Sequence, residues 1–271
     1  MIKRIIQRLI GWDRLNDHDQ YLTRYRFNSV VANTVSLFPT RLPALLRRFG
    51  SDKQKPGWHD YGPTYEMLFR RWKYRRLTLL EIGIGGYGQS LGGTSLLAWQ
   101  AYFPFGHVIG ADIEDKSALA GKRREVIRLD QSSSEQLDTL ARERGPFDLI
   151  IDDGSHLNAH QILTFEHLFG ALKDGGIYVV EDTQTSFWPG DVAGVTWDGA
   201  NIGDPRFKET CNGYFLELSK YLNQAEFVDK SGINERMATF ALNILQIAFE
   251  HNLIIIRKGD NRGGSTFVGP G

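Results

Sequence analysis

The chain has 271 residues, 41% of them hydrophobic and 12% aromatic, enough to bury the core of one large domain or of a domain with an appendage. Lys plus Arg and Asp plus Glu both number 32, so no net field draws the protein to nucleic acid or to acidic membranes. The single Cys211 excludes a disulfide framework and a Cys-rich zinc site, and no run approaches the ~18 apolar residues of a spanning helix.

The N-terminus, MIKRIIQRLIGW, is basic and amphipathic but lacks the uninterrupted apolar core and small-residue cleavage site of a secretory signal. A soluble cytoplasmic enzyme is the simplest expectation. Residues 1–50 read as helices closed by Gly50, an N-terminal helical extension to a domain over 51–271. Ile2, Ile5, Ile6 and Leu9 form a helical stripe that suits packing on the domain, a membrane surface or a homo-oligomer built through the N-terminal helices. The next stretch, SDKQKPGWHDYGPTY, is polar, aromatic and too irregular for a core element.

From Thr78 onward short β-branched runs alternate with helical patterns. Strands are predicted at 78–84, 107–112, 125–129, 147–152 and 176–181, with helices near 92–103, 133–144 and 158–172. Crossovers of this length predict a doubly wound, mostly parallel sheet with right-handed connections. Residues 186–205, SFWPGDVAGVTWDGANIGDP, show no apolar period and read as a glycine-rich lid or acceptor-binding loop. A helix near 206–223 follows. FALNILQIAFE and NLIIIRKG, separated by His251 and Asn252, then predict a C-terminal antiparallel hairpin on the sheet edge.

The predicted strands end in acid. Ligands collect at the carboxyl ends of the strands in such sheets, so Glu81, Asp112, Asp130, Asp153 and Glu181-Asp182 point to one crevice. At the first strand end, Glu81-Ile82-Gly83-Ile84-Gly85-Gly86 lets a ligand approach the backbone at Gly83 and Gly85. The loop has neither the dinucleotide glycine spacing into a helix nor the Lys-Ser/Thr of a P-loop. Asp112 is placed to accept ribose hydroxyls, and Asp130 is followed by Gln131 and Ser132, which suit an adenine edge. An acidic first turn repels a pyrophosphate. It suits S-adenosylmethionine instead, with the ribose on Asp112 and the amino-acid part near Glu81 and the glycine loop.

Asp153, Glu181 and Asp182 lie on what should be neighbouring strands, where carboxylates within ~4–6 Å repel unless a cation sits among them. Hard oxygens with no thiolate suit Mg²⁺, and Mn²⁺ accepts the same set. His156, three residues after Asp153 in DDGSH, is placed to take a proton from a hydroxyl acidified by the metal. Asp152 is expected to hold the turn by local hydrogen bonds.

IDDGSHLNAHQ with VVEDTQTSFWPG resembles the macrocin and mycinamicin type of sugar O-methyltransferase. The upstream SDK…WHDYGPTYE and LEIGIGGYG extend the likeness over roughly residues 50–190. The resemblance implies a Rossmann-like class I methyltransferase, with a seven-stranded sheet, and Mg²⁺-dependent methyl transfer from S-adenosylmethionine to a deoxysugar hydroxyl. It implies Asp153, Glu181 and Asp182 as metal ligands and His156 as base. Glu81, Gly83, Asp112 and Asp130 would hold the donor, Tyr61 and Tyr65 would lie near that pocket, and Gln184 and Trp188 would border the acceptor. The acceptor is a small glycosylated metabolite, a glycolipid or a glycan. A catechol or phenol O-methyltransferase also places carboxylates on Mg²⁺. An NAD-linked oxidoreductase is opposed by the acidic glycine loop and by the lack of a Tyr-x-x-x-Lys pair after the fourth strand. A scaffold with a vestigial crevice is opposed by the full set of acidic strand ends.

Overall fold

The β-branched runs after Thr78 become the strands of one sheet, in the order β3-β2-β1-β4-β5-β9-β8. The computed structural model describes residues 16–86 and 91–265. The stripe of Ile2, Ile5, Ile6 and Leu9 lies outside the described residues. Five strands, β1 (Thr78–Ile82), β2 (His107–Asp112), β3 (Arg124–Arg128), β4 (Phe147–Asp152) and β5 (Leu172–Val180), follow the expected alternation. β8 (Ile244–Glu250) and β9 (Leu253–Lys258) form the expected hairpin, closed at His251 and Asn252. Among the described residues no helix is long and apolar enough to cross a membrane. The chain divides into two compact units, residues 1–128 and 129–271.

In the first unit β1 and β3 flank β2, all parallel. Helices α1 (Asp17–Val35), α2 (Leu42–Phe49), α3 (Gly62–Phe69) and α4 (Thr94–Tyr102) complete it. α1 is started by Asn16, whose side chain accepts the Asp19 amide at 2.8 Å. α2 has Pro43 in its first turn, ends on Gly50 in the left-handed region, and buries Leu42, Leu45, Leu46 and Phe49. α1 is joined to the sheet through arginines. Arg123 donates to Asn33 Oδ1, Phe103 O and Gln100 O, while the Arg124 guanidinium lies 4.9 Å from the Tyr25 ring centre.

The irregular stretch from Ser51 to Tyr65 was expected outside the core. Its Ser51, Lys53, Tyr61 and Tyr65 are instead buried, and α3 begins within it. Polarity concealed this because the Lys53 ammonium is matched inside the protein by Glu81, at 3.2 Å. Tyr65 packs on Phe69 and edge-on to Trp99 at 5.1 and 5.3 Å.

In the second unit all six residues of β4 are buried. β4 pairs parallel with β5, and β9 pairs antiparallel with both β5 and β8. Helices α5 (Ser134–Arg144), α6 (Asn158–Leu168), α7 (Cys211–Lys220) and α8 (Glu235–Ala241) cover it, with Phe165 at the centre of an aromatic group that includes Phe169, Tyr178, Phe215 and Phe240. The segment expected as a loop over 186–205 contains a hairpin, β6 (Pro189–Val192) and β7 (Val195–Asp198). Ala193 and Gly194 close it with φ of +55° and +80°, a pair of positive values that matches the twist of a two-residue turn. No alternation marks these strands because both faces of the hairpin are largely exposed.

Candidate active site

The glycine loop leaves β1 beside the end of β2. Gly83 has φ +75° and donates its amide to Ala111 O at 2.8 Å. Asp112 Oδ2 accepts from the Ile84 amide at 3.1 Å and from Lys116 Nζ at 2.8 Å, and its Oδ1 accepts from the Glu114 amide at 3.0 Å. Lys116 also donates to Gly85 O at 2.5 Å, so one buried ammonium ties the loop to the carboxylate. The predicted donor residues Gly83, Gly85 and Asp112 are thus brought together in the first unit.

Glu81 and Tyr65 stand behind that loop. Glu81 has no exposed surface, and its carboxylate meets Lys53, Ser95 Oγ at 2.8 Å and Trp99 Nε1 at 3.1 Å. Burial pushes its pKa up, and Lys53 pulls it back. Glu81 and Tyr65 therefore support the glycine loop from behind. Tyr61, nearly buried, stacks on His59 at 4.8 Å.

Gln131 is held as firmly. It is buried, its Nε2 donates to Asp152 Oδ1 at 2.7 Å, and its Oε1 accepts from the Ser155 amide at 2.9 Å. Both ends are engaged, so the side chain staples the turn after β3 to the turn after β4. A Cβ at Gly154 would lie 2.2 Å from its Oε1, which explains the glycine there. Asp130 stays half-buried, and the hydroxyl and amide of Ser132 hold its carboxyl below the usual range.

At the ends of β4 and β5, Asp153, His156 and Asp182 each offer a ligand atom, all within 4.8 Å of one another. His156 Nε2 lies 3.8 Å from Asp182 Oδ2. His156 and Asp182 both have left-handed backbones, with φ of +57° and +53°. Such conformations cost a non-glycine residue about 1–3 kcal/mol and persist only where the surroundings over-determine them. Thr185 is part of that hold: its hydroxyl donates to His156 O at 2.7 Å and lies 3.4 Å from Asp182 O. Glu181, expected as a metal ligand, is not in the three-residue cluster. It is nearly buried, and its backbone continues the sheet, with the amide on Asp152 O and the carbonyl on Gln161 Nε2, both at 2.9 Å. Asp152 points inward as expected of a turn-holding residue, and burial pushes its pKa up to about 7.

No protein-family model matches the chain. It is 40% identical over 223 residues to the 8-demethyl-8-alpha-L-rhamnosyl tetracenomycin-C 2'-O-methyltransferase of Streptomyces olivaceus, covering 82% of this chain and 56% of the relative. It is 38% identical over 209 residues to the mycinamicin VI 2''-O-methyltransferase of Micromonospora griseorubida, covering 76% and 50%. The MycE methyltransferase of the mycinamycin pathway, solved with Mg and SAH, superimposes with a TM-score of 0.75 at 35% identity over 84% of this chain and 57% of that one. What the chain shares with these O-methyltransferases is sequence and fold over about four fifths of its own length. Its fold is that of a class I methyltransferase. The chain spans about half the length of the curated relatives it matches.

Within this fold, a polar network centred on the buried Asn158 escaped sequence reasoning. Asn158 Oδ1 accepts from Ser186 Oγ and the Cys211 amide, at 2.7 and 2.8 Å. Its own amide and Nδ2 donate to Asp198 Oδ1, while the Ala159 amide reaches Asp198 Oδ2 at 3.0 Å. Asp198 on β7 therefore caps α6 and fastens the hairpin to the loop that carries His156. Of the predicted acceptor residues, Trp188 is half-buried and packs edge-on to Trp197 at 5.6 Å, and the Oε1 of Gln184 is buried with no hydrogen-bond partner. Nothing local distinguishes Asp198 or Thr185 in the sequence. Lys116 was not legible either, because Asp112 ends a strand and Lys116 lies in the loop beyond it, where no helical spacing marks the pair.

Proposed function

We propose that this chain transfers the methyl group of S-adenosylmethionine to a sugar hydroxyl on a small glycosylated metabolite, in the cytoplasm, with Mg²⁺ as its metal. The observation that carries the reading is the Asp153, His156 and Asp182 cluster, two carboxylates and an imidazole crowded together on strained backbone. The relatives support it: they are named as O-methyltransferases of rhamnosyl tetracenomycin and of mycinamicin, and the MycE structure holds Mg and SAH.

The residues fit both groups. Asp153 and Asp182 supply hard oxygens at a separation where like charge is costly, and Glu181 is the further ligand implied by the resemblance. A divalent cation held there would neutralise that charge and make a sugar hydroxyl more acidic. His156 accepts the proton, with Asp182 3.8 Å away to orient the imidazole and stabilise its charged form. On the donor side Gly83 and Gly85 let the ligand reach the backbone, Asp112 Oδ1 has room for a ribose hydroxyl, and Asp130 serves the adenosine end. Gln184 and Trp188 border the acceptor sugar, with Trp188 as an apolar wall. Because the sulfonium is already activated, alignment is the main task, and alignment supplies about 7–11 kcal/mol.

Self-association through the N-terminal helices belongs to the same proposal, supported by exposed Phe27, Val30, Leu37 and Phe38 on and just after α1. Light scattering tests it, and a monomer at all concentrations would reject it. The main reading is tested by calorimetric titration of S-adenosylmethionine, and separately NAD, with Mg²⁺ and then with chelator. The expected result is S-adenosylmethionine binding, no NAD binding, and methylation of glycosides that stops on chelation. Heat from NAD alone would overturn the donor assignment.

A further inference from the structure

Tyr21 and Tyr25 of α1 have no role in the proposal above, yet both reach the glycine loop. Tyr21 Oη donates to Gly92 O at 2.6 Å and Tyr25 Oη donates to Gly93 O at 2.9 Å, across 71 and 68 residues of sequence. The two rings stack at 6.2 Å. Gly92 and Gly93 have φ of +74° and +76°, and the Gly93 amide donates back to Ile84 O at 2.6 Å. A Cβ at Gly92 would lie 2.1 Å from Gly85 O, and one at Gly93 would lie 2.9 Å from Tyr25 Oη. The outgoing limb of the loop is therefore wedged between its incoming limb, Ile84–Gly85, and the two phenols.

The phenols are themselves held. Tyr25 is 3% exposed and carries the Arg124 guanidinium on its ring, and Arg124 Nε is anchored to Leu119 O at 2.7 Å. Tyr21 and Tyr25 thus stand on a rigid frame, and what they grip is the pair of carbonyls that lead into α4 at Gly93. A loop held in its bound shape loses less conformational freedom when a ligand arrives.

We infer that α1 is a structural wall of the methyl-donor site, and that Tyr21 and Tyr25 are positioning residues that set the glycine loop for the adenosine-bearing donor. The inference rests on the proposed function. It makes the N-terminal helix part of the donor-binding apparatus in addition to any role in self-association.

The test is donor binding by calorimetry, with S-adenosylmethionine and S-adenosylhomocysteine, on the full chain and on Tyr21→Phe, Tyr25→Phe and the double variant. Phenylalanine keeps the rings and removes only the two donors. Each single variant is expected to bind donor about 3–10-fold more weakly, the size of one lost hydrogen bond. The double variant should be weaker than either, with the effect on the donor KM and not on kcat, and with Mg²⁺ affinity unchanged. Variants that melt earlier but bind donor as the parent does would overturn the inference, because the hydroxyls would then only stabilise the fold. Tyr21, the less buried of the two, keeps the test open if Tyr25→Phe fails to fold. A parent protein that binds no S-adenosylmethionine defeats the functional proposal instead, and that measurement comes first.

Discussion

The carboxylate that ends β1 and those that follow β4 and β5 occupy equivalent places in the sheet and have opposite fates. Glu81 is sealed from solvent with Lys53 at 3.2 Å and two further donors on its second oxygen. Asp153 and Asp182 are only partly buried and are gathered with an imidazole within 4.8 Å, on a backbone that resists the conformation. The difference separates a pin from a site. A carboxylate matched to an internal cation is closed to solvent, whereas two partly exposed carboxylates beside an imidazole form a set of donor atoms of the kind a hard cation takes.

The sharpest way to break this contrast is Asp153→Ala. It should abolish methyl transfer while leaving donor affinity at the parent value, as read by calorimetry. Loss of both would show that the metal and donor ends are not separate. His156→Ala comes next, with a fall of about 10²–10⁴ in kcat and Mg²⁺ affinity retained; an unchanged rate would remove His156 as the base. Glu81→Gln should act on stability, since it leaves the Lys53 ammonium buried without its counter-charge. A loss of about 3–5 kcal/mol in urea unfolding is expected, and a variant as stable as the parent would refute the pin. Thr185→Val has the smallest effect. Losing the hydroxyl that holds His156 O should lower kcat about tenfold with little change in the donor KM, and Thr185→Ser should restore it.

Much of this protein is legible in local pattern. Phe147–Ile151 and Ile177–Val180 read as buried strands because β-branched residues bounded by turns suit a pleat covered on both faces, and both are fully buried. The C-terminal hairpin was legible for the same reason. The β6–β7 hairpin was not, because both its faces are largely exposed and leave no alternation to read. At the site, the DDGSH and VVED motifs marked Asp153, His156, Glu181 and Asp182, and the structure gathers Asp153, His156 and Asp182. The left-handed turn at Asp182, which no local pattern announces, brings its carboxylate to that cluster.

The sequence by itself determined the fold class and the positions of the acidic strand ends, since each rests on spacing readable within a few residues. Only the tertiary structure decided which acids are available for that chemistry. Burial and counter-charge are set by residues far along the chain: Lys53 against Glu81, Asp198 against the start of α6 forty residues earlier, and the tyrosines of α1 against a loop some seventy residues on. Solvation and charge pairing are properties of proximity in space, and no local pattern of residues encodes them.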